Sequence, residues 1–263
     1  MTARTRVRAA AVAGLFYPDD AAELRALLHR LLAGNPAAGP APKAMIAPHA
    51  GYIYSGPIAA RAYNRLVAQA DSIRQVVLLG PAHRVAVRGL ALPAVDAFRT
   101  PLGDVALDQE AMARIENLPQ VERSETAHQL EHSLEVHLPF LQTLLQEYKL
   151  VPLLVGWAQP NEVAQVLQTL WGGNETLIVI SSDLSHYHSY DAARQLDAET
   201  AWHIETKQIP IRDQQACGAH PINGLLTVAR SLNLAIHRLD LRNSGDTAGD
   251  RRHVVGYGAW ALL

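Results

Sequence analysis

Three apolar runs in this sequence end, within a few residues, in a histidine. Met45-Ile46-Ala47 leads through Pro48 to His49. Val76-Val77-Leu78-Leu79 leads through Gly80-Pro81-Ala82 to His83, and Leu177-Ile178-Val179-Ile180 leads through Ser181-Ser182 to Asp183 and His186. Singly, each is an ordinary hydrogen-bonded turn histidine. Jointly, they put ligand-type side chains at the ends of three buried strands, where open α/β sheets hold their ligands. Two neutral imidazoles plus one anionic group are a common minimum for a transition-metal site. The anion is either Asp183 or the thiolate of Cys217, the one cysteine in the chain. Cys217 stands before a helix, where backbone amides lower a thiol's pKa, and Gly218 leaves room for close approach. Alone, such a cysteine reads as a small buried hydrophobe. His186 suits a general acid or base, with Asp183 orienting it.

A second constellation follows at His128 to Phe140. Read as helix, His128, His132 and Glu135 fall at i, i+4 and i+7 and share one face. Leu130, Leu134, Leu138 and Leu141 mark a separate apolar face. The polar face is expected to turn Glu131, His132 and Glu135 toward the cleft, with His132 touching the ligands or the substrate; the plainer reading is a solvated face. The H-E-x-x-H order of zinc proteases is absent. Pro139 implies a bend. Ser181-Ser182-Asp183 offers a hydroxyl near an acid but lacks the glycines of a nucleophile elbow. No Walker or G-x-G-x-x-G sequence occurs.

The elements that must position these residues alternate. After an irregular arm over residues 1–18, carrying Phe16, Tyr17 and Pro18, Asp19-Asp20 cap a helix to Leu32. A loop from Gly34 through Pro36 to Pro42 precedes a strand at Lys43–Ala47. A helix with Pro57 at its start runs from Gly56 to Gln69. The strand at Val76 is followed by an edge strand at Leu90–Val95, a loop at Phe98–Asp104 and a helix from Asp108 to Glu116. A polar connection then leads to one long helix, Gln129–Tyr148. Strands at Val151–Val155 and Leu177–Ile180 flank a helix at Asn161–Leu170. Helices at Asp191–Thr206 and 222–231 precede closing strands at Ala235–Leu241 and His253–Leu262. This alternation predicts an α/β fold, residues 1–263 as a single domain, with a mixed central sheet and helices on both faces.

Composition excludes several classes. The chain has 263 residues, 49% apolar and 18% charged, with a formal net charge of −2. That balance gives no electrostatic case for nucleic acid or an anionic membrane. No apolar run approaches the roughly 20 residues of a membrane span. The start is basic but lacks a signal peptide's apolar core and cleavage site, so a cytoplasmic protein is expected. A single cysteine leaves no internal disulfide, while twelve histidines are unusual.

Ala47-Pro48-His49-Ala50-Gly51-Tyr52, Gly80-Pro81-Ala82-His83, Glu131-His132-Ser133-Leu134-Glu135, Ser181-Ser182-Asp183-Leu184-Ser185-His186, Cys217-Gly218-Ala219-His220-Pro221 and Val254-Val255-Gly256-Tyr257-Gly258-Ala259 occur in that order. Together they resemble the MEMO family over nearly the whole chain. Bacterial and archaeal members carry the label AmmeMemoRadiSam system protein B. The resemblance implies a fold similar to the class III extradiol ring-cleaving dioxygenases, which use non-haem Fe(II). It implies His49, His83 and Cys217 as metal ligands, with Asp183 and His186 lining the cleft. It also implies association with AMMECR1-like and radical SAM proteins. The dioxygenases carry a carboxylate where this family has the cysteine, and a thiolate changes the metal's softness and redox behaviour. Arg84 stands where the family often has a second histidine. Three functions follow as expectations: an iron-dependent, dioxygenase-like redox enzyme of unknown substrate; a metal- or peptide-binding protein in redox or signalling that does no chemistry; and a zinc-dependent hydrolase. Iron is the expected metal, with copper and zinc also suited to two histidines and a cysteine. The ligand is a small molecule or a peptide.

Overall fold

The computed structural model describes residues 5–35 and 39–263. Met1 to Arg4, and Pro36 to Ala38 of the expected loop, lie outside the described residues. The arm contributes a short strand, β1 (Val7–Arg8). Helix α1 (Ala21–Ala33) is capped by Asp20, whose carboxylate accepts from the amides of Ala22 and Glu23, and it buries Leu24 and Leu28. Strand β2 (Ala44–Ala47) follows, then helix α2 (Tyr52–Tyr63), strands β3 (Gln75–Pro81), β4 (Leu90–Leu92), β5 (Ala97–Thr100) and β6 (Gly103–Ala106), and helix α3 (Gln109–Ala113). Next come β7 (Val121–Arg123), α4 (Glu125–Gln129), α5 (Leu138–Leu144), β8 (Lys149–Val155), α6 (Pro160–Leu170), β9 (Thr176–Ser181) and β10 (His186–His188). Helices α7 (Tyr190–Glu205) and α8 (Ala219–Ser231) and strands β11 (Ile236–Asn243) and β12 (Val254–Leu262) complete the chain.

The main sheet runs β10-β12-β2-β9-β3-β8-β4-β7, with β11 also paired to β12. Strands β2, β9, β3 and β8 are parallel; β12 and β4 lie antiparallel to their inner neighbours. The connection from β2 to β3 through α2 steps across the sheet one way, and that from β8 to β9 through α6 steps back. Right-handed crossovers therefore put α2 and α6 on opposite faces. The parallel strands are buried along nearly their whole length, as strands covered on both faces must be. Because β2, β9 and β3 are parallel neighbours, their carboxyl ends open on one side, carrying His49, Asp183 and His83.

Four local expectations differ. The long helix does not form: α4 ends at Gln129, residues 130–134 are irregular, a 3-10 turn covers Glu135–His137, and α5 starts at Leu138. The buried Glu131 carboxylate accepts the amides of His132 and Ser133, local bonds that compete with helix. Pro139 then sits in the first turn of α5, where a missing amide costs nothing. Leu130 is 63% exposed, so it belongs to no core stripe with Leu134, Leu138 and Leu141. Pro57 lies inside α2, which begins earlier, at Tyr52. Phe98–Asp104 is a hairpin rather than a loop: Phe98 faces Val105 and Arg99 faces Asp104, with the chain reversing over Pro101-Leu102 and Gly103 at φ 123° opening the return strand. Strand β4 is interior, with β7 outside it.

Candidate metal centre

Strand β2 delivers His49 two residues past its end. The His49 amide donates to Asp183 Oδ1 at 2.8 Å, tying the β2 and β9 ends together. Its Nδ1 lies 2.7 Å from Ser181 Oγ, and the Ser181 hydroxyl donates to the carbonyl of Ser133 at 2.6 Å. With its proton spent there, Ser181 must accept from His49 Nδ1–H. The tautomer follows: His49 Nε2 carries a free lone pair. That nitrogen is 3.4 Å from Cys217 Sγ and 3.9 Å from Asp183 Oδ2.

Glu131 orients the second imidazole. It accepts the His83 amide on Oε2 at 2.5 Å and pairs with His83 Nδ1 on Oε1 at 2.9 Å. Only a protonated Nδ1 suits a carboxylate, which leaves Nε2 as the nitrogen His83 can offer a metal. Burial acts to raise the Glu131 pKa, but the bonds from His83 and from the Ser133 amide prevail and hold it at about 2.

His132 joins them. Its ring stacks on His83 with centroids 4.8 Å apart and meets His49 edge-on at 5.5 Å; His49 and His83 are 5.2 Å apart. One nitrogen of each lies within 4.8 Å of the others, the one such trio among the described residues. His132 Nδ1 is 3.2 Å from Glu131 Oε1 but poorly aligned, so it is buried without a hydrogen-bond partner. Burial drives the His49 pKa well below the usual imidazole value, helped by the neighbouring imidazoles, and takes His132 to about 4. Both are therefore neutral at pH 7, as metal ligands must be. Three imidazoles, two oriented by fixed partners on Nδ1 and one with an orphaned buried nitrogen, fit a divalent transition ion.

Cys217 lies outside the trio but against it. Asp183 and Cys217 are cross-tied: the Cys217 amide donates to the Asp183 carbonyl at 3.2 Å, and the Asp183 amide points at Cys217 Sγ at 3.3 Å. Gly218 permits this approach, since a Cβ there would stand 2.6 Å from that of Ser182. The expected low thiol pKa does not arise. Desolvation of the sulfur and the Asp183 carboxylate push it up, outweighing the amides that would lower it. Burial likewise lifts the Asp183 carboxyl to about 7, against the bond from the His49 amide. His186 is half-buried, with Nδ1 held 2.8 Å from the Leu184 carbonyl, and burial lowers its pKa. It too exposes Nε2.

His128 and Glu135 turn elsewhere. His128 Nε2 bonds the Ala91 carbonyl at 2.9 Å, and Glu135 is buried against the N-terminal arm. Ser181 and Glu131 are the orienting groups. Sequence reading turns Glu131 toward the cleft and takes Ser181 only as a hydroxyl near an acid; it gives neither an orienting role, because their partners are distant in sequence. An open groove of about 820 Å³ near Gln75 and Lys149 lies at the other end of β3 and β8 and takes no part in the cluster.

A family model described as Memo-like protein matches residues 8–261. Relatives described as MEMO1 family proteins include one from Aquifex aeolicus, 36% identical, with 96% of this chain and 97% of that protein covered. One from Sulfolobus acidocaldarius is 33% identical over 95% and 97%, and one from Methanothermobacter thermautotrophicus 36% over 95% and 98%. Among solved structures, an uncharacterised protein from Escherichia coli K12 shares the fold, with TM-score 0.53 and 15% identity over 84% of this chain and 99% of that one. Among the described residues, no helix is long and apolar enough to cross a membrane.

Proposed function

The chain belongs to the Memo family, and on that premise we propose that it is a non-haem iron protein with redox activity. His49, His83 and Cys217 would hold Fe(II), with His132 as a further imidazole within reach. The observation that carries this reading is the pair of locked tautomers. Ser181 and Glu131 fix the Nδ1 protons of His49 and His83, leaving both Nε2 lone pairs free. When bound, iron supplies Lewis acidity and one-electron exchange. The chain's own groups supply proton handling. His186, neutral at pH 7 with Nδ1–H given to Leu184, acts as a base through Nε2. Asp183, titrating near 7, takes up or releases a proton beside His49.

A second reading, metal-dependent peptide binding without turnover, has its own support. Exposed Leu15, Ile53 and Tyr187 stand next in sequence to, or a few residues from, Phe16, His49 and His186, an apolar fringe where the strands end. Elemental analysis of anaerobically purified protein, with oxygen uptake under a substrate screen, separates the two. Iron near one per chain, lost in His49→Ala and strongly reduced in Cys217→Ser, with oxygen uptake lost in His186→Ala, supports the enzyme. Bound metal without oxygen chemistry favours the binding protein. Zinc as the bound metal points to hydrolysis. Metal retained after both His49 and Cys217 are replaced overturns the site.

A further inference from the structure

The most heavily bonded buried ion pair among the described residues lies beside the histidine cluster and has no part in the reading above. Arg8 is 6% exposed and Glu135 fully buried, and they meet at 2.7 Å. A pair taken out of water persists only when its remaining donors and acceptors are met. Here they are. Arg8 Nε donates to the carbonyl of His128 at 2.6 Å, a second guanidinium nitrogen donates to the carbonyl of Glu131, and the group packs 4.9 Å from the Phe98 ring. The Glu135 carboxylate also accepts the amides of Ala11 and Val12, at 2.8 and 3.0 Å, and the Tyr17 hydroxyl at 2.6 Å.

Each bond from Arg8 lands on one stretch of chain, at positions 128, 131 and 135. Most of that stretch has no regular secondary structure to fix its course. It carries Glu131, which orients His83, and His132, one of the three clustered imidazoles. The arm also closes over the cluster from the other side. Phe16 packs against the His132 ring at 4.9 Å, and its carbonyl accepts the Tyr52 amide at 2.8 Å, three residues past His49.

We propose that the arm from Arg8 to Tyr17 is a working part of the metal centre, in which Arg8 and Glu135 are positioning residues that set where Glu131 and His132 stand. The inference rests on reading the histidine cluster as a metal site. It predicts that metal binding, rather than only folding, responds to a side chain that touches no ligand atom.

The test uses the full chain and Co(II), whose visible absorption reports ligand geometry. Arg8→Met is expected to weaken Co(II) binding about tenfold or more and to change the band pattern, as loss of outer orienting groups does. Arg8→Lys keeps the charge but not the fork, so it should recover part of the affinity. Glu135→Gln should act in the same direction as Arg8→Met. Leu167→Ala, a cavity in α6 packed against α8, serves as a comparison: it lowers thermal stability while leaving Co(II) affinity and spectrum unchanged. If Arg8→Met does not fold, Arg8→Lys and Glu135→Gln decide by the same criteria. Affinity within twofold of the parent and an unaltered spectrum in the soluble variants would overturn the proposal. If the unsubstituted protein takes up no Co(II), the reading of the site fails and takes this inference with it.

Discussion

Ser181 shows how much of a candidate metal site is decided by a group outside the ligand set. Its hydroxyl is the hinge between the Ser133 carbonyl and His49 Nδ1. Ser181→Ala leaves both without a partner in a buried setting, which costs roughly 1–3 kcal/mol of stability. It also frees His49 to change tautomer, which should weaken metal binding about 10–100-fold. Denaturant unfolding and metal titration of the variant measure the two effects; unchanged affinity would show that Ser181 does not set the tautomer. His49 and His83 were legible in the sequence because apolar strands ending in histidine are a local pattern. Ser181 was not, since its partners come from residues 49 and 133, and alone it suggested only a nucleophile. The 0% exposure of Ser181 removes that role toward an external substrate. Cys217 was legible as a residue but not in its acidity, because the desolvation that raises its pKa depends on neighbours distant in sequence.

At the scale of elements, the strands and most helices were readable because their periodicity is local. The segment from His128 to Tyr148 was not. Its leucines and helix-favouring residues point to one helix, yet the contacts that hold Glu131 where it can bond the His132 and Ser133 amides run to His83 and Arg8. No spacing rule contains those partners. The loop that results packs directly on β3, and Gly80 is what lets it do so. A Cβ at Gly80 would stand 2.8 Å from Leu134 Cδ2, 3.0 Å from Ser133 Oγ and 3.2 Å from Ser181 Cβ. Gly80→Ala should therefore lift residues 131–134 off the strand, costing about 1–3 kcal/mol as overpacking does. Since Glu131 and His132 ride on that loop, metal affinity should fall with stability. Thermal melts with and without added metal would check this, and a variant that loses stability but keeps its metal-induced rise in Tm would separate loop from site.

The whole molecule carries an unusual load of buried imidazoles, and that makes it acid-sensitive. Burial holds His49 well below the usual range, His128 and His132 at about 4, and His137 at about 3. Each folded-state value lies below the unfolded one of 6.5. The stability these groups contribute is present above pH 6.5 and is lost as pH falls through that value toward 4. Asp183 and Asp197 act oppositely: burial raises them to about 7 and about 6, so below those values they bind protons in the folded state. Near pH 5, four imidazoles gain a proton on unfolding while two carboxyls lose one. Metal-free protein should therefore lose roughly 2–3 kcal/mol of stability per pH unit on acidification around pH 5. Chemical denaturation between pH 7 and 4.5 gives the slope; stability that rises on acidification would mean these histidines are protonated when folded, leaving only the two carboxyls to act.

Strand β12 has a consequence for how the protein is made. It pairs with β2 through Trp260, Ala261 and Leu262, so the strand bearing His49 has one neighbour, β9, from mid-chain and another from residues 254–262. Ribosomes release roughly 5–20 residues per second. From the synthesis of β2 until that of β12, β2 therefore waits with a bare edge, and the cluster's scaffold closes only once residues 254–262 have emerged. A metal taken up at this cluster would then enter only after residues 254–262 are made, and a nascent chain arrested before Val254 should present its unpaired β2 edge to chaperones rather than a site to an ion.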